Sequence, residues 1–188
     1  MAATEEEEQP PSGIKSHYPQ PGYPMPITIS PYQPGDKDAL LDLSLAAWAP
    51  VFAQMSAAVP SFVYANFYPD GWETRQRADL AAVLDKESEC VRVARRDGRL
   101  AGWLGYRLHP EDRMGEIYVL AVAPEQQRCG VGRALMDDAF ALIRSAGMAM
   151  VMVETGADPG HQPARAAYEA TGFVRWPVAR YFKTLSGE

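Results

Sequence analysis

Pro124–Phe140 reads PEQQRCGVGRALMDDAF. Two glycines, Gly130 and Gly132, stand two apart between Arg128 and Arg133. Just before them, MGEIYVLAVAP has the β-branched and apolar density of a strand. Just after, VGRALMDDAFALIRSAG puts Val131, Leu135, Ala139, Leu142 and Ala146 on one helical face, with Gly147 suited to a C-terminal cap. The stretch is therefore a strand-to-helix connection. The first turn of a helix presents free N–H groups and a partial positive charge, which attract an anion. Glycines would let a phosphate approach, and Arg128 and Arg133 would add charge. A plain tight turn fits the two glycines as well. The loop lacks the Gly-Lys-Ser/Thr ending of a nucleotide P-loop and the third glycine of the dinucleotide fingerprint, so pyrophosphate suits it better than ATP or NAD.

Working outward, CVRVARRDGRLAGWLGYRLH alternates on both sides of RDGR, the signal of a hairpin with Asp-Gly at the turn. Further upstream, ITISPYQ reads as a short strand ending at Pro31. PGDKDALLDLSLAAW reads as a helix with Asp36 as N-cap and Leu40, Leu41, Leu43 and Leu45 as its apolar residues, ending before Pro50. From Trp48 to Trp72 the chain is aromatic and weakly periodic, a short helix plus loops. WETRQRADLAAVLDKES is a second amphipathic helix with Leu80, Val83 and Leu84 inward. Downstream, AMVMVET is a strand and GADPGHQ a loop. PARAAYEATG is a short helix, with Pro163 near its first turn and Gly172 after its end, and ARYFKTL is a last strand. This order predicts a mixed sheet flanked by helices, with no internal repeat.

The 188 residues, 47% hydrophobic and 22% charged, suffice for one domain with its own core. Residues 1–26 form a separate tail, because TEEEEQPPSG and HYPQPGYPMP lack the apolar surface to offset ordering entropy, although Tyr18 and Tyr23 could dock an arm. The domain is expected over 27–188. Glu5, Glu6, Glu7 and Glu8 against Lys15 leave −3 on the tail, and so −3 of the formal −6 on the rest. A mildly acidic body argues against nucleic acid and suits a cationic substrate. No uninterrupted apolar run reaches a membrane span, and the first residues hold no basic segment followed by an apolar one, so a secretory signal is not expected. The two cysteines, Cys90 and Cys129, suit neither a zinc site nor a disulfide framework, so the expectation is a cytoplasmic protein with free thiols and no metal centre.

Gln127–Gly132, QRCGVG, matches the Gln/Arg-x-x-Gly-x-Gly/Ala signature of the GCN5-related N-acetyltransferases, the GNAT superfamily, and the sequence resembles that family. EIYVLAVAPE before it, RALMDDAF after it and ARAAYEATGF some 30 residues on are similar too. The resemblance covers roughly 27–185 and is specific from Glu116 to Phe173. It implies an α/β (α+β) fold with a mostly antiparallel central sheet of about six or seven strands and about four helices. It implies acetyl-CoA as co-substrate, with backbone N–H groups of Gln127, Arg128, Cys129, Gly130, Val131, Gly132 and Arg133 around the pyrophosphate. Leu120, Ala121 and Val122 would pair with the pantetheine arm like a neighbouring strand. Where many members carry Asn at the mouth of the downstream helix, this sequence has His161.

Acetyl transfer to an amine needs a base, an oxyanion donor and an acid for the leaving thiolate. Glu116, 14 residues ahead of Gly130, is the base candidate, with His109 as the second. Tyr168 is implied as general acid and the Val122 N–H as oxyanion donor. Cys129 fills space in the cradle, and transfer is direct, in a ternary complex. Trp48, Phe52, Tyr68 and Trp72 are candidate acceptor-lining residues, as are Tyr64, Phe67 and Trp176, with Asp70 and Glu73 as anchors for a cation. A core role is the competing reading for each aromatic. The expected acceptor is a small-molecule primary amine, a cationic antibiotic such as an aminoglycoside among them, and the protein a monomer or homodimer. A protein N-terminus or lysine is the alternative acceptor. A non-catalytic acetyl-CoA sensor is the alternative of another class.

Overall fold

The computed structural model describes residues 26–185. The tail expected over 1–26 therefore falls, but for Pro26, outside the described residues. Five strands form one sheet in the order of the chain: β1 (Ile27–Pro31), β2 (Val91–Arg96), β3 (Arg99–His109), β4 (Met114–Val122) and β5 (Met150–Val153). The first four are antiparallel neighbours, and β5 joins β4 in parallel. The β2–β3 turn is the Asp-Gly hairpin, with φ of 53° at Asp97 and 72° at Gly98.

Helices cover both faces. On one lie α1 (Lys37–Ala58), α2 (Ser61–Phe67) and α3 (Trp72–Lys86); on the other lie α4 (Val131–Ser145) and α5 (Gln162–Ala170). Leu40, Leu41, Leu80 and Leu84 pack with Val91, Val93, Trp103, Val119 and Ala121 on the α1/α3 face. Val131, Leu135, Met136, Ala139 and Ile143 pack with Ala94, Ala101, Leu104, Tyr106 and Ile117 on the α4 face. The buried indole of Trp103 donates to Ser44 Oγ at 2.8 Å, and Ser44 Oγ donates back to the Leu40 carbonyl at 2.7 Å, which fastens α1 to the sheet.

The structure corrects several expectations. The first helix does not stop before Pro50 but runs to Ala58. Pro50 sits on the exposed side, where the Ala46 carbonyl that loses its partner can bond to water. Burial of Ala47 and Phe52 across that point keeps the helix whole. Asp36 occupies the N-cap position but caps nothing, because Arg95 on β2 takes its carboxylate at 2.6 Å. On α4, Ala146 is exposed, and Met136 and Ile143 hold the inner stripe that the spacing gave to it. ARYFKTL forms no strand, so the sheet has five strands rather than six or seven, and five α-helices stand where four were expected. Pro34–Ala58 is long and apolar enough to cross a membrane by length and composition alone; here it is the helix packed on the sheet.

Two irregularities in the sheet position the site. In β4, Gly105↔Val119 is followed by Tyr106↔Ile117, so Tyr118 is an extra, bulged residue. Gly115 and Ile117 face α4, whereas Val119 and Ala121 face α1 and α3. The β4–β5 pairing runs only from Met114↔Met150 to Ile117↔Val153, which leaves the β4 edge open from Tyr118 to Val122.

Candidate active site

The open edge points into a gap. Ala123 N–H donates to Ala101 on β3 at 2.9 Å, and directions alternate along a strand. The N–H and C=O groups of Leu120 and Val122 therefore face away from β3, into the space β5 does not fill. The Val122 carbonyl there accepts from Gln127 Nε2 at 3.2 Å.

The edge leads into the glycine loop. Arg128 (φ 60°) and Gly130 (φ 86°) are left-handed, a backbone shape that turns successive N–H groups to one side. Gly130 is the N-cap of the 15-residue α4 and supplies no side-chain cap. The N–H groups from Arg128 to Arg133 meet no acceptor in hydrogen-bonding geometry among the described residues. A Cβ on Gly132 would meet only Val122 Cγ2, at 3.7 Å, so there is room above the helix start. Unpaired donors, a helix N-terminus and open space fit a pyrophosphate, and the bare strand edge fits an amide-bearing arm. Arg133 plays less part than its position suggested, since its guanidinium is tied to Asp137 at 2.9 Å.

Glu116 and His109, the two base candidates, are one unit: His109 Nε2 lies 2.9 Å from Glu116 Oε2, both partly buried. Glu116 precedes the bulge and lies opposite Arg107 on β3, on the α1/α3 face. Arg107 donates to Glu87 at 2.7 and 2.9 Å and covers the Tyr118 ring at 3.9 Å. This hydrogen bond holds the Glu87 carboxyl below its usual range. Burial, with the Glu87 charge nearby, pushes the Tyr118 phenol far up, and its hydroxyl is buried without a partner. Gly105 clears space for that ring, because a Cβ there would stand 3.0 Å from it. Nothing in the spacing of Glu87, Arg107 and Tyr118 announced this cluster, which the hairpin register brings together.

Tyr168 lies across the sheet. Like Leu120 and Val122 it packs against the α4-face core, with its ring 5.8 Å from Phe173. Burial raises its pKa, so the phenol keeps its proton. No hydrogen bond joins Tyr168 to Glu116 among the described residues, and the open β4 edge runs between their two faces. His161, at the mouth of α5, has Nδ1 2.6 Å from Asp158, while Arg165 holds the carbonyls of Gly156 and Asp158 at 2.6 and 2.8 Å. This pinned loop packs on α1, where a Cβ on Gly160 would stand 2.6 Å from the Val51 carbonyl oxygen. Cys129 is exposed in the cradle.

Three of the four acceptor candidates meet. Phe52 stacks on Trp72 with centroids 4.2 Å apart and meets Tyr68 edge-on at 5.4 Å. Phe52 is itself buried beneath the other two, and Trp48 packs into the α1/α3 core. Tyr64 extends the cluster at 4.9 Å from Tyr68, whereas Trp176 stands apart, exposed. Arg75, which the sequence reading passed over, lies over the Phe67 and Tyr68 rings at 5.2 and 5.7 Å. Its place three residues after Trp72 on one helix was the available signal. The aromatics share the α1/α3 face with Glu116.

Residues 57–173 match the model of the acetyltransferase (GNAT) family, and the chain belongs to that family. It is similar to a mycothiol acetyltransferase of Pseudarthrobacter chlorophenolicus, 31% identical over 85% of this chain and 46% of that protein. The chain spans about half the length of the curated relatives it matches. Among solved structures, Ard1 from Thermoplasma volcanium superposes with a TM-score of 0.58 at 21% identity, covering 79% of this chain and 82% of that one. An aminoglycoside N-acetyltransferase in complex with CoA superposes with a TM-score of 0.60 at 13% identity, covering 87% and 98%. At those identities the likeness is one of fold.

Proposed function

We propose that this chain transfers an acetyl group from acetyl-CoA to the primary amine of a small molecule, directly and in a ternary complex. The observation that carries the reading is the bare β4 edge running into the unpaired N–H groups at the start of α4. Leu120 and Val122 would hold the pantetheine arm, with Ala121 between them paired to Trp103 on β3, and the N–H groups of Arg128–Arg133 the pyrophosphate, the Gln127 N–H being taken by the Pro124 carbonyl at 3.4 Å. When bound, acetyl-CoA supplies the thioester acetyl group and the leaving thiolate.

The chain's own residues then divide the work. Glu116 takes the proton of the incoming amine and passes it to His109, which is partly exposed and bonded to it. The Val122 N–H, facing the gap, donates to the developing oxyanion. Tyr168, kept protonated by burial, gives its proton to the thiolate and regains one from solvent. Tyr68 and Trp72, backed by the buried Phe52, offer the amine an apolar wall on the Glu116 face, with Asp70 and Glu73 as the proposed anchors for a cation. A small-molecule acceptor, cationic antibiotics included, also accords with relatives named for mycothiol and for an aminoglycoside. Cytoplasmic residence belongs to the same reading, supported by the free thiols of Cys90 and Cys129.

The test follows thiol release from acetyl-CoA against aminoglycosides, polyamines, amino acids and short peptides. Turnover with one small-amine class is expected. Turnover with peptides alone would move the acceptor to proteins. Tight acetyl-CoA binding with no turnover across the panel would favour a sensor.

A further inference from the structure

Taking Glu116 as the base proposed above, we infer that Glu87 is a positioning residue. By clamping Arg107 against the Tyr118 ring, it keeps that cation off Glu116 and leaves the base free for the amine.

The sheet puts a competitor beside Glu116. Arg107 on β3 lies directly opposite Glu116 on β4, and both side chains point to the α1/α3 face. Such neighbours in an antiparallel pair have Cβ atoms about 4.5–5.5 Å apart, well within the reach of an arginine, and opposite charges there attract. On its other side Glu116 faces Met152 of β5, which carries no charge. An unrestrained Arg107 would therefore close on the Glu116 carboxylate. A guanidinium bonded there would occupy an oxygen that has to receive the amine proton and weaken it as an acceptor.

Arg107 is bound elsewhere. Glu87, the residue that follows α3, accepts from its Nε and Nη2 at 2.7 and 2.9 Å, a two-pronged pairing that fixes the plane of the guanidinium. The guanidinium carbon stands 3.9 Å from the centre of the Tyr118 ring, so the bulged residue is its second support. No hydrogen bond joins Arg107 to Glu116 among the described residues. Glu116 bonds to His109 through Oε2, and its Oε1 has no partner there. Two carboxylates pull on one cation, and Glu87 wins. The Arg107 guanidinium is held above its usual range first by the Glu87 hydrogen bond, with the Glu116 charge among the lesser causes. Both partners of the clamp are partly exposed, so substitution there spares the core.

Steady-state kinetics of the full chain test the clamp, with acetyl-CoA and the panel amine that releases thiol fastest. Glu87→Gln should lower kcat by roughly 10- to 100-fold, with the acetyl-CoA affinity and far-UV dichroism of the parent. Glu87→Gln combined with Arg107→Met should recover most of that loss, because the cation that Glu87 restrains is gone. A clamp that only held the fold would leave the double variant as slow as the single one or slower, and that result overturns the proposal. A kcat like the parent's in Glu87→Gln overturns it equally. Glu116→Gln, run alongside, separates a failure of the base from a failure of the clamp. Turnover like the parent's in that variant, or none by the parent with any panel amine, removes the base and the role of Glu87 with it.

Discussion

The two faces of β4 differ in how they are built. On the α4 face a regular amphipathic helix, a glycine turn and a plain strand edge make a cradle from backbone alone. On the α1/α3 face the walls are side chains: a helix that ignores Pro50, stacked aromatics, and a web of Glu87, Arg107, Tyr118, Glu116 and His109. Backbone recognition tolerates many side chains and serves a constant ligand. Side-chain walls change with each substitution and serve a variable one. The cofactor would thus be read by the face that sequence changes reach least, and the acceptor by the face they reach most.

Four variants would break or sharpen this contrast. Tyr168→Phe should show the largest effect, lowering kcat by roughly 10²- to 10⁴-fold while acetyl-CoA affinity stays within about threefold. Equal loss of both in kinetics and calorimetry would make Tyr168 a packing residue. Because its phenol titrates above the usual value near 10, it should impose no alkaline fall in kcat below about pH 10. Gly130→Val comes next. It forces a branched side chain into a left-handed N-cap and should weaken acetyl-CoA by about 100-fold or more, with the dichroism spectrum of the fold retained. Unchanged affinity in a titration would remove the cradle.

Ser44→Ala tests the anchor of the other face. It strands the buried Trp103 N–H, and about 1–3 kcal/mol of stability should go in urea titration. Acetyl-CoA affinity should not follow once the protein is folded. Trp72→Leu is the mildest. It should raise KM for the amine by about tenfold and leave acetyl-CoA binding alone. If instead the cofactor constant moved and the amine constant did not, the division of labour between the faces would fail.

Legibility in the sequence followed the same division. The run from Glu116 to Phe173 reads well because its signals are local. The apolar density of the strand, the glycine pair of the turn, the α4 stripe through Val131, Leu135 and Ala139, and the cap at Gly147 each lie within a few residues. Upstream, packing overrules local rules: Pro50 should stop a helix and does not, and Asp36 should cap one but pairs with Arg95, 59 residues away. ARYFKTL has the composition of a strand, but composition cannot say whose edge a strand will join. Glu87 and Arg107 meet through register, which no spacing rule reveals.

The bulge at Tyr118 carries a last consequence. In an unbroken strand Glu116 would share a face with Leu120 and Val122, and so with the side of the sheet where Tyr168 packs. A carboxylate and a phenol there would tie up each other's proton and short-circuit the reaction before substrate arrived. One surplus residue flips the parity of the strand and makes the sheet a partition. With the roles proposed for Glu116 and Tyr168, the proton of the amine would be taken up on one side of that partition and the proton for the thiolate given on the other.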